Sequence, residues 1–253
     1  MKPLAGIVAL GLAGVFGAGA AHAGTVFDTT LASPNGTAVV ANQTSTSNTS
    51  WFNGSGNPQG GFTVVTDGTT GIELGLRAKL RGSPTIYNSA DGTYIFSTGT
   101  SGGRAVWNYE FSIDMDPGHA GSLTLADIFK ATLTVKDNGT GVTQPILPLT
   151  YFPDNSGYGN ASVATNVGKH EPQTSSDWVA QNSENLSFGD SPLAGDFNAW
   201  YGDSYTFTLS VYTSPSTSVS DTITVNAVPE PATLSVLGMG LIGLIGVRRK
   251  RQA

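Results

Sequence analysis

Apolar and polar residues alternate with a period of two along residues 72–81. The apolar series consists of Ile72, Leu74, Leu76, Ala78 and Leu80. The polar series between them consists of Glu73, Gly75, Arg77, Lys79 and Arg81. Such alternation places one series in a core and the other in water. The segment therefore predicts a half-buried β-strand, and its basic cluster is expected to be a solvated strand face rather than a binding patch.

The same alternation returns in residues 104–113 and 205–211. In the first, Trp107 is one of the residues predicted to face inward, and Glu110 is one of those predicted to face water. Shorter strands are predicted at Thr37–Ala41, Phe62–Thr66, Thr93–Ser97, Ala131–Lys136, Ile146–Tyr151 and Val219–Val225. Helix is expected only as a turn or two, at Thr124–Phe129 and Ser176–Gln181.

Turn sequences separate the predicted strands, among them Asp67-Gly68, Asp91-Gly92 and Asp137-Asn138-Gly139. Asp, Asn and Gly favour tight turns because they accept the backbone conformations that turns require. Short strands rich in Thr and Val, joined by connections rich in Gly and Asn, are typical of β-sandwiches. The sequence therefore predicts an all-β fold, an antiparallel β-sandwich of jelly-roll type.

The first 23 residues have the form of a secretory signal peptide. Met1-Lys2 supplies a positive start, residues 4–20 are apolar, and Ala21-His22-Ala23 has the small-x-small form that signal peptidase reads. Cleavage after Ala23 leaves an exported domain of residues 24–227. An uncleaved N-terminal anchor is the alternative.

The last 26 residues combine three features in a fixed order. Val228-Pro229-Glu230-Pro231 is followed by the uncharged run 232–247 and then by Arg248-Arg249-Lys250-Arg251. A helix of that run is about 24 Å long, and snorkelling basic side chains extend it toward the ~30 Å of a hydrocarbon core. The cations hold residues 248–253 in the cytoplasm, so the domain before Pro229 lies across the membrane. An ordinary C-terminal anchor is the alternative.

This three-part order resembles the PEP-CTERM sorting signal of Gram-negative bacteria. The resemblance implies that an exosortase, a membrane-embedded cysteine protease, cuts at or near Pro-Glu-Pro and sends the domain to the cell surface or extracellular matrix. Residues 107–113, 179–185 and 202–209 also resemble a loosely defined group of PEP-CTERM surface proteins. That likeness implies that Gln181, Asn182 and Ser183 hold a structural corner.

Composition excludes several classes of function. Residues 24–227 contain 17 of the 18 acids but only 7 of the 12 Lys and Arg residues, a net charge of about −10. Such a surface argues against nucleic acid or anionic lipid as a partner. The absence of cysteine excludes thiol catalysis and thiolate metal sites. His119 and His170 belong to no recognisable catalytic motif, so no catalytic residue is assigned.

Asp114 and Asp116 are the candidate metal ligands. They stand one residue apart where the strand 104–113 ends, before Pro117-Gly118. Two carboxylates on one side of a strand end, joined by loop carbonyls and by Asp127 or Asp154, would supply the oxygen ligands that calcium prefers. The alternative is that both aspartates only form a turn.

Trp51, Trp178 and Trp200 are the candidate ligand-binding residues, because they lie in polar stretches where an exposed indole stacks on a sugar ring. The alternative is that they fold back over the edge of the sandwich. We therefore expect a structural, adhesive or glycan-binding protein associated with exopolysaccharide. A secreted hydrolase acting on polysaccharide is the second hypothesis, and a cleft with two carboxylates about 5–10 Å apart would favour it.

Overall fold

The computed structural model describes residues 24–31, 60–87, 89–117, 123–151, 157–159, 177–189, 191, 193 and 195–230. The signal peptide, the predicted strand Thr37–Ala41 and residues 231–253 lie outside this part. Within it, the chain forms one short helix, α1 (Pro148–Tyr151), and thirteen strands. The strands are β1 (Gly24–Thr29), β2 (Phe62–Thr66), β3 (Glu73–Leu80), β4 (Thr93–Ser97), β5 (Thr100–Ser101), β6 (Arg104–Ala105), β7 (Trp107–Asp114), β8 (Lys130–Asp137), β9 (Thr143–Ile146), β10 (Gly157–Gly159), β11 (Val179–Glu184), β12 (Asp203–Ser214) and β13 (Thr217–Val228).

The strands form two large sheets and a small ribbon. One sheet has six strands in the order β1-β2-β3-β7-β11-β10, and the other has five in the order β4-β13-β12-β8-β9. The ribbon is β5-β6. Neighbours are antiparallel throughout the described strands except β4 and β13, which run parallel from Thr93 opposite Thr224 to Ser97 opposite Val228. The prediction of an all-β fold is confirmed, and the expectation of purely antiparallel pairing is wrong at this one pair.

One apolar core lies between the two sheets. Its buried side chains come from β3 and β7 in the six-stranded sheet and from β8, β12 and β13 in the five-stranded sheet. Trp107 is central to it: the rings of Phe96, Phe197, Tyr205 and Phe207 have centroids 5.9–6.2 Å from the indole. The inward positions that the alternation predicted in residues 72–78, 105–113 and 205–211 are therefore confirmed.

The prediction of a solvated polar face on β3 and β7 is wrong. Arg77, Lys79 and Glu110 are only 2%, 3% and 0% exposed, whereas Arg81, beyond the end of β3, is exposed. Arg77 and Glu110 are direct neighbours across the two strands. The alternation fixed which residues share a face, but it carries no information on whether other parts of the chain cover that face.

The buried charges satisfy one another. Arg77 donates from Nε to Glu110 Oε2 at 2.5 Å and from a guanidinium N–H to the carbonyl of Gly60 at 2.6 Å. The other carboxylate oxygen of Glu110 accepts from the hydroxyl of Ser183 at 2.8 Å and lies 3.7 Å from the ammonium of Lys79. A buried ion pair survives only with such additional hydrogen bonds, because desolvation of each charge is costly.

Two predicted local elements also differ from the structure. The strand predicted at Ile146–Tyr151 ends at Ile146, and Pro148 begins α1, where its missing N–H and fixed φ are tolerated. Of the segment Ser176–Gln181, predicted as helix, residues 179–181 belong to β11, so Gln181, Asn182 and Ser183 form a strand rather than a corner. Their role is pairing with β7, as in the hydrogen bond of 3.1 Å from the Gln181 amide to Ser112.

Other local predictions are confirmed. Thr124 precedes a turn of 3-10 helix at Leu125–Asp127, and the Asp127 carboxylate accepts from the backbone N–H of Thr124 at 2.8 Å. The predicted turn after β8 is closed by Asp137, whose carboxylate accepts from the N–H groups of Gly139 and Thr140 at 2.8 and 2.9 Å. Side-chain capping of this kind satisfies donors that the turn would otherwise leave unpaired.

A carboxylic acid also lies inside the apolar core. Asp221 of β13 is 2% exposed and stands opposite Leu209. Its Oδ1 accepts from the N–H of Thr222 at 2.8 Å, whereas Oδ2 makes no hydrogen bond of standard geometry. Burial raises the pKa of Asp221 to about 8, although the Thr222 and Leu76 backbone N–H groups favour the charged form. The folded protein therefore keeps this acid protonated at neutral pH.

We expect the substitution Arg77→Met to lower the free energy of unfolding by about 3–5 kcal/mol, since it strips a buried carboxylate of its main partner. The triple variant Arg77→Met/Lys79→Met/Glu110→Leu should recover most of that loss, because all three buried charges are then gone. Denaturant melts measure both effects. Arg81→Met is the matched control and should change stability by less than about 0.5 kcal/mol. Equal melts for the Arg77 and Arg81 variants would contradict the buried network.

Stability should also depend on pH through Asp221. Because the folded pKa lies above the unfolded value of 3.8, the stabilising contribution of this proton is fully present below 3.8 and is lost as pH rises through about 8. Between those limits Asp221 lowers the free energy of unfolding by at most about 1.4 kcal/mol per pH unit. Denaturant melts at several pH values should show a flatter dependence for Asp221→Asn than for the wild type. Equal slopes for Asp221→Asn and the wild type would contradict the assignment.

Candidate functional site

The sorting motif begins at the end of a central strand. β13 ends at Val228, which stands opposite Ser97 of β4, and the Val228 carbonyl accepts from the N–H of Thr98 at 3.0 Å. Pro229 has no N–H to donate, so strand pairing stops there. Val228 is 44% exposed, and Pro229 and Glu230 are exposed. The fold thus holds the start of the motif at the rim of a sheet; Pro231 and Arg248–Arg251 lie outside the described residues, as do Ala21 and Ala23 of the signal cleavage site.

Gly202 fixes the direction in which the chain leaves the domain. A Cβ atom on Gly202 would come within 2.6 Å of Pro229 Cδ and 3.2 Å of the Ala227 carbonyl oxygen. Real Cβ atoms do not approach other atoms that closely, so only glycine leaves room for the Pro229 ring here. The turn before β12 and the start of the motif therefore pack directly on each other.

Two consecutive aromatic residues, Trp200 and Tyr201, precede Gly202 and lie beside its contact with Pro229. Their side chains are 65% and 71% exposed. Their turn is fixed by Phe197, whose ring centroid lies 5.5 Å from that of Tyr205 in the core, and by a backbone hydrogen bond from the Gly99 N–H to the Ala199 carbonyl. The Trp200 ring lies over Gly99, where a Cβ would meet it at 3.6 Å.

We call the exposed apolar side chains at this end of the five-stranded sheet the junction patch. Its members are Ile95, Trp200, Tyr201 and Val228, which are 64%, 65%, 71% and 44% exposed. Ile95 shares the outward face of β4 with Ser97, the residue opposite Val228. The pattern of the sequence identified Trp200 as a candidate, but it gave no sign that Tyr201 and Ile95 accompany it.

The three candidate tryptophans do not form one surface. Trp178 is half-buried, packs against the core, and its carbonyl accepts from the N–H of Met115 at 2.8 Å. Trp51 lies outside the described residues. Of the two candidate tryptophans that the structure describes, Trp178 and Trp200, only Trp200 is exposed. It lies beside the start of the sorting motif. Stacking of glycan on Trp51, Trp178 and Trp200 stays a prediction.

Asp114 and Asp116 lie at the opposite end of β7 from Trp107. They are 3% and 6% exposed, and the Asp114 carboxylate accepts from the N–H of Asp116 at 3.0 Å, which closes the turn that follows the strand. Glu73 stands directly opposite Asp114 on β3. Burial, and then the negative charge of Glu73, raise the pKa of Asp114 well above its usual range. The arrangement therefore favours the neutral acid at Asp114.

This pKa is that of the metal-free protein, and a bound cation would favour the charged form of Asp114. Within the described ranges, no group of three or more His, Asp or Glu side chains is placed to hold a metal ion. Asp127 is exposed and caps its own turn, and Asp154 lies outside the described residues. The turn role of the Asp114–Asp116 pair is thus observed directly, and the calcium site stays a prediction.

The outward side of the five-stranded sheet forms a second distinctive surface, which we call the hydroxyl face. Its members are Thr132 and Thr134 of β8, Thr206, Thr208 and Ser210 of β12, and Ser220, Thr222 and Thr224 of β13. Register aligns Thr222, Thr208 and Thr134 in one row across three strands, and Ser220, Ser210 and Thr132 in the next. Hydroxyl pairs bond across the strands, at 3.1 Å for Thr208–Thr222 and 2.7 Å for Ser210–Ser220.

The charge of this face differs from that of the chain, which has a net charge of −6. Lys130 and Lys136 of β8 are exposed at its margin. In the described strands of this sheet, Asp137 and Asp221 face inward and are each 2% exposed, and Asp203, at the start of β12, is on the inward side but partly exposed. The hydroxyl face is therefore a flat polar surface with a weak positive charge.

Comparison with known proteins identifies the C-terminal segment. Residues 227–251 match the family model of the PEP-CTERM protein-sorting motif. The match makes this chain an exported substrate of an exosortase, with a transient C-terminal membrane anchor. A search of curated proteins finds no match to the chain. Among the described residues no helix is long and apolar enough to span a membrane, and the apolar segment 232–247 is not among them.

Replacement of Pro229, Glu230 and Pro231 by alanine should leave the protein in the membrane fraction with its domain still outside the cell. The apolar segment and the basic stop survive in this variant, whereas the break recognised by the exosortase is lost. Fractionation and immunoblotting of a host that contains an exosortase measure the outcome. The control is Thr217→Ala/Ser218→Ala, exposed at the other end of β13. Release of the triple variant at the rate of this control would contradict recognition through the motif.

Proposed function

We propose that the exported domain of this exosortase substrate is a non-catalytic matrix protein that binds exopolysaccharide on its hydroxyl face. The observation that carries the proposal is the ordered, acid-free array of hydroxyl groups across β8, β12 and β13. Each Ser or Thr hydroxyl is one donor and two acceptors, the same inventory that sugar hydroxyls offer. A flat array of such groups matches an extended polymer of hydroxylated rings better than it matches a small ligand, which binds in a concave pocket.

The rigidity of the array favours binding. Neighbouring members of one row are spaced by the distance between strands, about 4.7–4.9 Å, and successive rows are about 6.6–6.8 Å apart along the strands. The bonds between Thr208 and Thr222 and between Ser210 and Ser220 hold the hydroxyls in place before any ligand arrives. Groups that are already ordered lose less conformational entropy when they bind.

Charge also supports a polysaccharide partner. The acids of β8 and β13 turn away from the hydroxyl face, so an acidic polymer meets no carboxylate there. Lys130 and Lys136 attract such a polymer to the margin of the face. The rest of this acidic domain repels polyanions. Among the surfaces that the structure describes, the hydroxyl face therefore suits an acidic or neutral polysaccharide best.

A polysaccharide hydrolase is the second hypothesis. The observation that supports it is the pair of carboxyl groups of Glu73 and Asp114. The two residues are direct neighbours across β3 and β7, and the raised pKa of Asp114 suits a general acid. Both carboxyl groups are nearly inaccessible to water, at 6% and 3% exposure. A substrate has no access to them in this conformation, so the arrangement supports the binding protein over the enzyme.

The test uses fragment 24–230, which contains every described residue, on an array of immobilised polysaccharides. The triple variant Thr134→Val/Thr208→Val/Thr222→Val keeps the shape of one row and removes its hydroxyls. We expect its affinity to fall about tenfold or more, because each hydrogen bond contributes about 0.5–1.5 kcal/mol. Trp200→Ala leaves the hydroxyl face intact and should bind as the wild type does.

Two results would contradict the proposal. Loss of binding in Trp200→Ala, with full binding in the triple variant, would make the exposed aromatic residue the glycan contact. Release of new reducing ends from the bound polysaccharide, abolished by Asp114→Asn, would make the domain a hydrolase. Circular dichroism of each variant checks that its β-fold is unchanged.

A further inference from the structure

The position of the sorting motif brings one end of the domain to the membrane. Four residue steps separate Val228, the last residue of β13, from Ala232, where the apolar segment begins. An extended chain covers at most about 14 Å in four steps. The polar layer on each side of a bilayer is about 5–8 Å thick. In the anchored protein, the end of β13 is therefore within about 10 Å of the outer edge of that layer.

The junction patch occupies this same end. Pro229 packs on Gly202, the residue after Tyr201, and Trp200 lies over Gly99, next to the Thr98 N–H that bonds Val228. Tyr and Trp are the side chains that favour the membrane–water interface, since each combines an apolar body with a polar tip. The other two members, Ile95 and Val228, are aliphatic side chains that lose water contact on the same surface.

The charges around the patch favour an apolar rather than an electrostatic contact. The neighbouring acids Asp196 and Glu230 are exposed, and Asp203 is partly exposed. Acidic side chains repel anionic headgroups, so attraction here comes from burial of the aromatic rings. A neutral lipid surface is therefore sufficient as the partner.

We infer that the junction patch, chiefly Trp200 and Tyr201, rests in the lipid–water interface while the C-terminal anchor is in place. This contact holds the domain in one orientation and keeps Pro229 and Glu230 at the membrane surface, within reach of a membrane-embedded protease. Cleavage ends the contact, because the patch is then no longer tethered beside the bilayer. The paired hydroxyl rows contain Thr222 and Ser220, six and eight residues back along β13 from Val228, so this inference stands apart from the proposed glycan binding.

The experiment reconstitutes the full chain in vesicles of dioleoylphosphatidylcholine and in vesicles whose acyl chains carry bromine, which quenches tryptophan fluorescence on contact. The apolar segment 232–247 contains no tryptophan, so quenching reports on the exported domain. We expect quenching in the wild type and its loss in Trp200→Phe. Trp178→Phe is the matched control and should retain the quenching.

A second measurement tests the consequence for processing. In a host with an exosortase, Trp200→Ser/Tyr201→Ser should be released more slowly than the wild type. Phe129→Ser is the control, because Phe129 is 63% exposed but lies beside Tyr212, nine residues along β12 from Asp203 and thus about 30 Å away. Equal quenching in the wild type and Trp200→Phe, or no quenching in either, would overturn the inference. Equal release of the double variant and the Phe129 control would overturn the positioning role.

Discussion

The pairing of β13 on both of its edges is the interaction on which the rest of the structure depends. From Thr217 to Ala227 it pairs with β12, and its last five residues also pair with β4. Its inward residues fill the core, its outward hydroxyls extend the array on β12, and its end delivers Val228 to the sorting motif. A strand held on both edges moves little, so the core, the hydroxyl face and the motif keep fixed relative positions.

The buried ionisable groups offset the free-energy cost of desolvation in two different ways. Arg77 and Glu110 remain in contact, with Ser183 and the Gly60 carbonyl completing their hydrogen bonds. Asp221, by contrast, is 2% exposed, and burial raises its pKa to about 8, so the neutral acid is favoured at pH 7. A neutral acid needs fewer hydrogen bonds than a charged one, which explains how the core tolerates it.

The two surfaces described above belong to different stages of the life of this protein. The junction patch matters while the anchor is present, since only then is this end of the domain held at the bilayer. Under the proposed function, the hydroxyl face binds polysaccharide once the domain has been cleaved from its anchor. The patch and the paired hydroxyl rows lie on one sheet but at different distances from the end of β13, so the proposed membrane contact and the proposed glycan contact are tested by different variants.

The sequence by itself determined the sorting segment, the all-β class and the inward residues of the long strands, because processing enzymes read linear motifs and a strand alternates its side chains with a fixed period. Alternation along one strand does not say what covers its second face. Only the tertiary structure therefore decided that Arg77 and Lys79 are buried, that Glu73 stands opposite Asp114, and that β4 pairs parallel to β13. The junction patch and the rows of the hydroxyl face likewise depend on register between strands far apart in the chain, which no local pattern encodes.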